Sequence, residues 1–99
     1  MYAILRKANY DTARLAGAAK ELEEFQEIHA SQPGFRGTME IDAGAGERFI
    51  LNLWESEEYA AAALPRMIPV AQRLLEPLMT GRSQLLAEGP VHSSSLGRP

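Results

Sequence analysis

QPGFRGTMEIDAGAGERFILNLWESE, residues 32–57, contains a helix stop, two strand-like runs joined by a turn, and a helix start. Pro33 and Gly34 favour the end of a helix, because proline lacks a backbone donor and glycine adopts the left-handed conformation that ends many helices. The glycine-rich run 43–46 between two strand-like runs is typical of a β-hairpin. Ser56, followed by acidic residues, is a typical helix N-cap. The stretch therefore predicts a hairpin placed between two helices.

The two strands of this hairpin differ in their apolar pattern. Residues 35–42 predict one apolar face and one polar face, with apolar or small residues at Phe35, Gly37, Met39 and Ile41. Residues 48–55 are apolar on both faces, with Phe49, Leu51 and Leu53 on one and Ile50, Asn52 and Trp54 on the other. Two helices cover only one face of a sheet, so this second strand predicts that another copy of the chain covers the other face.

A regular pattern also precedes the hairpin. A short apolar run over residues 2–7 predicts the first strand. Asp11 then caps a predicted helix from Thr12 to about Ser31, whose apolar residues recur every three or four positions at Leu15, Ala18, Leu22, Phe25 and Ile28.

The region after the hairpin is helix-rich but contains prolines. Pro65, Pro69 and Pro77 predict two or three helical pieces between residues 57 and 79. Residues 82–91 predict a last strand. The order is therefore strand, helix, strand, strand, helix, strand, which predicts an α+β, ferredoxin-like βαββαβ fold with a four-stranded antiparallel sheet. We expect a single domain over residues 1–91 and a flexible C-terminal tail over residues 92–99.

Composition excludes several classes of partner and chemistry. The 99 residues carry a net charge of −3 with no cluster of basic residues, which argues against nucleic acid and anionic membranes as partners. No apolar run is long enough for a signal peptide or a membrane span. There is no cysteine, so disulfides and thiolate sites are excluded and a cytoplasmic location is expected.

Three motifs carry a resemblance to a known family. PGFRG at 33–37, LNLWESEEYAAAA at 51–63 and the later pattern of proline followed by two leucines resemble the antibiotic biosynthesis monooxygenase family of dimeric α+β barrels. The resemblance covers about residues 2–91. It implies a homodimer with a ligand pocket between the helices and the sheet of each subunit. It also implies diverse activities, among them cofactor-free oxygenation of phenolic or quinol-type substrates, haem degradation and isomerisation of sugar-like signals.

The resemblance implies roles for Asn52 and Trp54. Monooxygenases of the family use an asparagine and a tryptophan near the third strand, where these two residues stand on one face. An amide donor beside an indole stabilises a developing substrate oxyanion. In the alternative interpretation Trp54 is a core or interface aromatic residue and Asn52 a satisfied buried amide.

Other residues complete the predicted site. His29 extends the apolar stripe of the first helix, and is either a general base facing the pocket or a boundary residue favoured by the helix C-terminus. Arg6 either recognises a substrate carboxylate or closes a salt bridge at a strand edge. Tyr2, Phe25 and Tyr59 are further predicted substrate-binding residues.

No metal or other cofactor is expected. One histidine within the fold and no metal-ligand spacing predict no metal site. The haem-degrading members resemble this chain up to Trp54, but they carry a second tryptophan and a histidine further on, and residues 57–79 contain neither.

Two functions follow as hypotheses. The first is a cofactor-independent monooxygenase acting on a small electron-rich aromatic substrate. The second is a non-catalytic dimer that binds a small hydrophobic ligand or serves as a stress-related accessory protein. A cavity beside Asn52 would favour the first, and tight filling around Asn52 would favour the second.

Overall fold

A computed structural model describes residues 1–95 and contains one four-stranded antiparallel sheet. Its strands are β1 (Tyr2–Asn9), β2 (Phe35–Gly44), β3 (Glu47–Trp54) and β4 (Gln84–Pro90), in the spatial order β2-β3-β1-β4. Its helices are α1 (Thr12–Ala16), α2 (Ala19–Ala30) and α3 (Glu57–Leu74), followed by a short 3₁₀ helix (Glu76–Leu78). The predicted ferredoxin-like α+β fold is confirmed.

The predicted hairpin turn is also confirmed, and it is two residues long. Ala45 and Gly46 have φ values of 54° and 82°, and positive φ at both positions is what a type I′ turn requires. Gly46 is held against the segment after β1, because the Tyr10 amide donates a 2.8 Å hydrogen bond to its carbonyl. A side chain at position 46 would collide with the carbonyl oxygen of Tyr10. The glycine is therefore required by both conformation and space.

The predicted alternation in β2 is wrong at its first residue. The register shifts between Phe35 and Gly37, so Phe35 lies opposite Trp54 while Gly37 lies opposite Leu53. A bulge at Arg36 adds one residue and moves Phe35 to the face opposite to that of Gly37. Phe35 therefore packs in the core beneath the helices.

The predicted single helix from Thr12 to Ser31 is divided into α1 and α2. The amides of Gly17 and Ala18 donate to carbonyls three residues back, at 3.2 Å each, so the α-helical ladder is interrupted there. Glycine lowers helix stability at this point. Asp11 caps α1 as predicted, since its Oδ1 accepts a 2.9 Å hydrogen bond from the amide of Arg14.

Two helical pieces lie between residues 57 and 79 as predicted, but the predicted breaks at Pro65 and Pro69 are wrong, because α3 runs unbroken through both and the second piece is the 3₁₀ helix around Pro77. The two prolines are four residues apart and exposed, so they lie on the solvent side of the helix. Each removes one donor, and the carbonyl of Ala61 and that of Pro65 lose their partners. Ala61 and Pro65 are both exposed, so these carbonyls belong to the solvent side of the helix.

The helices pack on one face of the sheet, and the core lies between them. Its buried residues are Tyr2, Trp54, Ala60, Ala63 and Met67. On the other face Met39 and Ile41 are exposed, at 50% and 58%.

None of the helices within residues 1–95 is long and apolar enough to cross a membrane. The division into a domain over 1–91 and a flexible tail over 92–99 stays a prediction, because residues 96–99 lie outside the described residues.

Candidate active site

A cavity of about 840 Å³ lies between the helix-facing side of the sheet and helices α2 and α3. Five of the predicted site residues line it: Arg6, Phe25, His29, Asn52 and Trp54. A smaller cleft of about 390 Å³ near the hairpin turn contains none of the predicted site residues. The larger cavity is therefore the candidate site.

Strand register places the polar residues of the cavity in rows across the sheet. Asn52 of β3 lies between Ile4 of β1 and Thr38 of β2. One row further along, Ile50 lies between Arg6 and Glu40. Side chains two residues apart share a face, so all these rows point toward the helices.

An aromatic cluster forms one end of the cavity. The ring of His29 lies 4.5 Å from that of Phe35, 5.6 Å from that of Trp54 and 5.4 Å from that of Phe25, measured between centroids. Phe35 and Trp54 meet edge to face at 5.3 Å. These are the separations at which aromatic rings attract each other, so the rings are packed against one another at this end of the cavity.

His29 stands in the last turn of α2 and is the titratable member of this cluster. Burial lowers the pKa of its imidazole below the usual 6.5, because the charged form is poorly solvated among rings. Neither of its ring nitrogens has a hydrogen-bond partner within residues 1–95. His29 is therefore neutral at pH 7 and free to accept a proton from a ligand.

Asn52 is the unsatisfied polar group of the site. Its Oδ1 is buried and has no hydrogen-bond partner among the described residues. Such an atom costs about 1–3 kcal/mol in a folded protein unless something bonds to it. Asn52 is thus open to a ligand that offers a hydroxyl or amide hydrogen.

The other end of the cavity is charged. Arg6 lines it from β1, while Glu40 from β2 is engaged with Arg48, whose Nη1 lies 3.3 Å from the carboxylate. Tyr10 is buried here at 7% exposure, and burial followed by the charge of Glu40 raises the pKa of its phenol. Arg82 adds a second guanidinium at the rim.

Two predicted substrate-binding residues do not line the cavity. Tyr2 is 9% exposed and packs in the core with Trp54. The ring of Tyr59 covers Gly34, whose φ of 78° and lack of a side chain make room for it. These placements give a structural role to each, and their roles in substrate binding stay predictions without support.

Several lining residues were absent from the predicted site, among them Tyr10, Thr38 and Met67. Thr38 was on the polar face predicted for β2. The alternation of β2 would have predicted Thr38 as a lining residue if that face had been placed beneath the helices. Tyr10 follows the first strand, which was predicted to end at Lys7, and continues its alternation. Met67 gave no signal beyond helical spacing.

A metal site is not formed by residues 1–95, which contain no group of three or more histidine, cysteine, aspartate or glutamate side chains placed to hold an ion.

Comparison with known proteins identifies the fold. No protein-family model matches the sequence, and no curated protein does. Among solved structures, a protein of unknown function from Nitrosomonas europaea superimposes with a TM-score of 0.76 at 11% identity, over 96% of this chain and 92% of that one. A structure named antibiotic biosynthesis monooxygenase gives 0.72 at 8% identity, over 92% of this chain and 98% of that one. The chain has the fold of the antibiotic biosynthesis monooxygenases.

A third structure with this fold carries a named activity. It is SnoaB, a cofactor-independent oxygenase from Streptomyces nogalater, with a TM-score of 0.71 and 17% identity over 96% of each chain. The antibiotic biosynthesis monooxygenase fold therefore spans almost the whole chain, whereas identities this low leave its chemistry to the residues themselves.

Proposed function

We propose that the protein is a cofactor-independent monooxygenase that acts on a small electron-rich aromatic substrate of the phenol or quinol type. The observation that carries the proposal is the unpaired amide of Asn52, which faces a cavity walled by aromatic rings and by a neutral histidine. The fold shared with SnoaB, named a cofactor-independent oxygenase, supports it.

The chemistry begins with proton transfer. His29 accepts the phenolic proton, because its imidazole has no hydrogen-bond partner within the described residues and the phenolate formed beside it offsets the cost of a buried imidazolium. The amide nitrogen of Asn52 then donates a hydrogen bond to the phenolate oxygen, while its Oδ1 accepts one from a second hydroxyl group. Both contacts favour the electron-rich anion, which is the form that reacts with dioxygen.

Oxidation needs no reagent beyond the substrate and dioxygen. The substrate carbanion transfers an electron to dioxygen, the two radicals combine, and the resulting peroxide loses water. A ring carbon bearing hydrogen becomes a carbonyl carbon, with one oxygen atom retained in the product and the other released as water. Phe25 and Trp54, which line the cavity, contact the ring system during these steps.

A second copy of the chain is part of the proposal. The face of the sheet away from the helices presents Met39, Ile41, Leu5, Phe49, Leu51 and Leu53 according to the strand register. An apolar face of this kind, with the ion pair of Lys7 and Glu47 at one end, is rare on monomers, and an antiparallel sheet normally exposes polar residues on its solvent side. We propose that two subunits pack these faces together in a homodimer.

The alternative function is a non-catalytic ligand-binding or accessory dimer. Tight filling around Asn52 would have favoured it. The cavity beside Asn52 favours the oxygenase instead.

Oxygen uptake with a panel of hydroquinones and anthrone-like phenols tests the oxygenase. We expect turnover by the wild type and a fall in kcat of about 100-fold for Asn52→Ala, the usual effect of removing one oxyanion donor. Asn9→Ala is the matched control, because Asn9 ends β1 on the other face of the sheet and does not line the cavity. Absence of uptake above background across the panel would refute the proposal for these substrates.

A further inference from the structure

Arg6 is a cavity residue that the proposed chemistry does not use. Four ionised side chains line the cavity, from Arg6, Glu40, Glu76 and Arg82, and only Arg6 among them is half-buried rather than exposed. Arg6 has no hydrogen bond and no ion pair within the described residues. An arginine side chain without a protein partner leaves its guanidinium available to a ligand that enters the cavity.

Glu40, the acid that lines the cavity in the same row as Arg6, is already engaged, whereas Glu88 of β4 lies beside Ile4, one row away. Glu40 and Arg6 both lie beside Ile50, on opposite sides of it. The Glu40 carboxylate instead lies 3.3 Å from Nη1 of Arg48, and Nη2 of Arg48 lies 4.0 Å from Asp42. Arg48 therefore engages Glu40 and Asp42, and Arg6 has no ion pair within the described residues.

The backbone beside Arg6 is irregular. The pairing of β1 with β4 shifts register between Leu5 and Arg6, because Leu86 has no partner in β1. Bulges of this kind bend a strand and re-aim side chains, and they are common next to binding sites. Arg6 itself stays on the cavity side of the central strand β1.

The position of Arg6 fixes the geometry of a ligand group. The row that contains Arg6 is two residues from the row that contains Asn52, which is about 7 Å along the strands. If one ring of a ligand is held at Asn52 and His29, about one further fused ring spans the distance to Arg6. The second guanidinium, that of Arg82 at the rim, has the same charge, and Glu76 is the opposing acid there.

We propose that Arg6 binds a carboxylate substituent of the ligand, so that the site prefers hydroxylated fused-ring aromatic acids over their neutral counterparts. A guanidinium and a carboxylate form two parallel, charge-assisted hydrogen bonds. This interaction is stronger in a cavity whose other charged groups are paired or lie at the rim. The inference rests on the proposed function in one respect, which is that the hydroxylated ring lies at the end of the cavity with Asn52 and His29.

Calorimetric titration with 6-hydroxy-2-naphthoate and with 6-hydroxy-2-naphthamide tests the proposal, because the two probes differ in charge and not in ring shape. We expect wild-type protein to bind the acid about 10- to 100-fold more tightly than the amide, as charge-assisted hydrogen bonds do. Arg6→Gln should reduce this preference to less than about 2-fold. Arg6→Lys, which keeps the charge without the planar fork, should retain part of it.

The matched control is Arg36→Gln, since Arg36 is exposed on β2 and does not line the cavity. This variant should keep the full preference for the acid. Equal affinity for the two probes in the wild type, a preference retained in Arg6→Gln, or no binding of either probe would overturn the proposal. Failure of the oxygenase is a separate result, because oxygen uptake and probe binding are measured independently: an acid preference without turnover refutes only the oxygenase.

Discussion

The two faces of the sheet have opposite characters. The face beneath the helices contains Arg6, Thr38 and Asn52, whereas the uncovered face presents Met39 and Ile41. An antiparallel sheet with one covered face normally places apolar residues inside and polar residues outside. This protein reverses the pattern on part of each face. Polar groups inside support the proposed ligand site, and apolar groups outside support the proposed homodimer, so each reversal bears on a different proposal.

The largest expected effect comes from the covered face. Trp54 is 3% exposed and contacts both His29 and Phe35, so Trp54→Ala should lower the free energy of unfolding by about 3–5 kcal/mol. Met39→Ala, on the uncovered face, should cost less than about 1 kcal/mol when the protein is monomeric. Urea unfolding at low protein concentration gives both values. Equal losses would show that the two faces do not differ in burial.

The second effect concerns the uncovered face. Ile41→Lys places two like charges in the proposed symmetric interface, and we expect it to weaken dimerisation by about 100-fold, measured by sedimentation. Ala30→Lys, on the exposed end of α2, adds the same charge away from the sheet and should leave dimerisation unchanged. A wild type that sediments as a 10.9 kDa monomer at micromolar concentration would contradict the proposed homodimer.

The smallest effect is the pH dependence of the covered face. Because the pKa of His29 is lowered in the folded state, the unfolded chain binds a proton near pH 6.5 that the folded protein does not. Wild-type stability should therefore be complete above about pH 6.5 and fall as the pH drops below it. His29→Phe keeps the aromatic contacts and should remove this part of the fall, as measured by urea unfolding between pH 5 and 8. Parallel pH curves for the two proteins would show that His29 is not desolvated.

Local sequence signals predicted the helices and strands. Features that depend on contacts between distant residues were not predicted. Asp11 and Ser56 cap helices as predicted, since a cap depends on neighbouring residues alone. The bulge at Arg36 depends on how β2 pairs with β3, which alternation within one strand does not contain. Pro65 and Pro69 predicted helix breaks because the sequence does not show that both prolines face solvent on α3. Packing of the helix against the sheet fixes that placement.

The same distinction holds for the site. Asn52 and Trp54 share a face by alternation within β3, so the sequence placed them together. His29 joined them because its helical stripe faced the sheet. The unpaired state of Arg6 depends on the ion pair between Glu40 and Arg48 across two strands, and the sequence left a salt bridge and a carboxylate contact equally open.

The helix above the site also sets how large a ligand it accepts. Ala60 and Ala63 line the cavity from α3 and are 8% and 1% exposed, so each contributes only a methyl group to the wall. Side chains of ordinary size at these two positions would displace the neighbouring core residues or narrow the cavity. The upper limit on ligand thickness is thus fixed by two of the smallest residues in the chain, while the polar residues opposite them determine which atoms of the ligand are held.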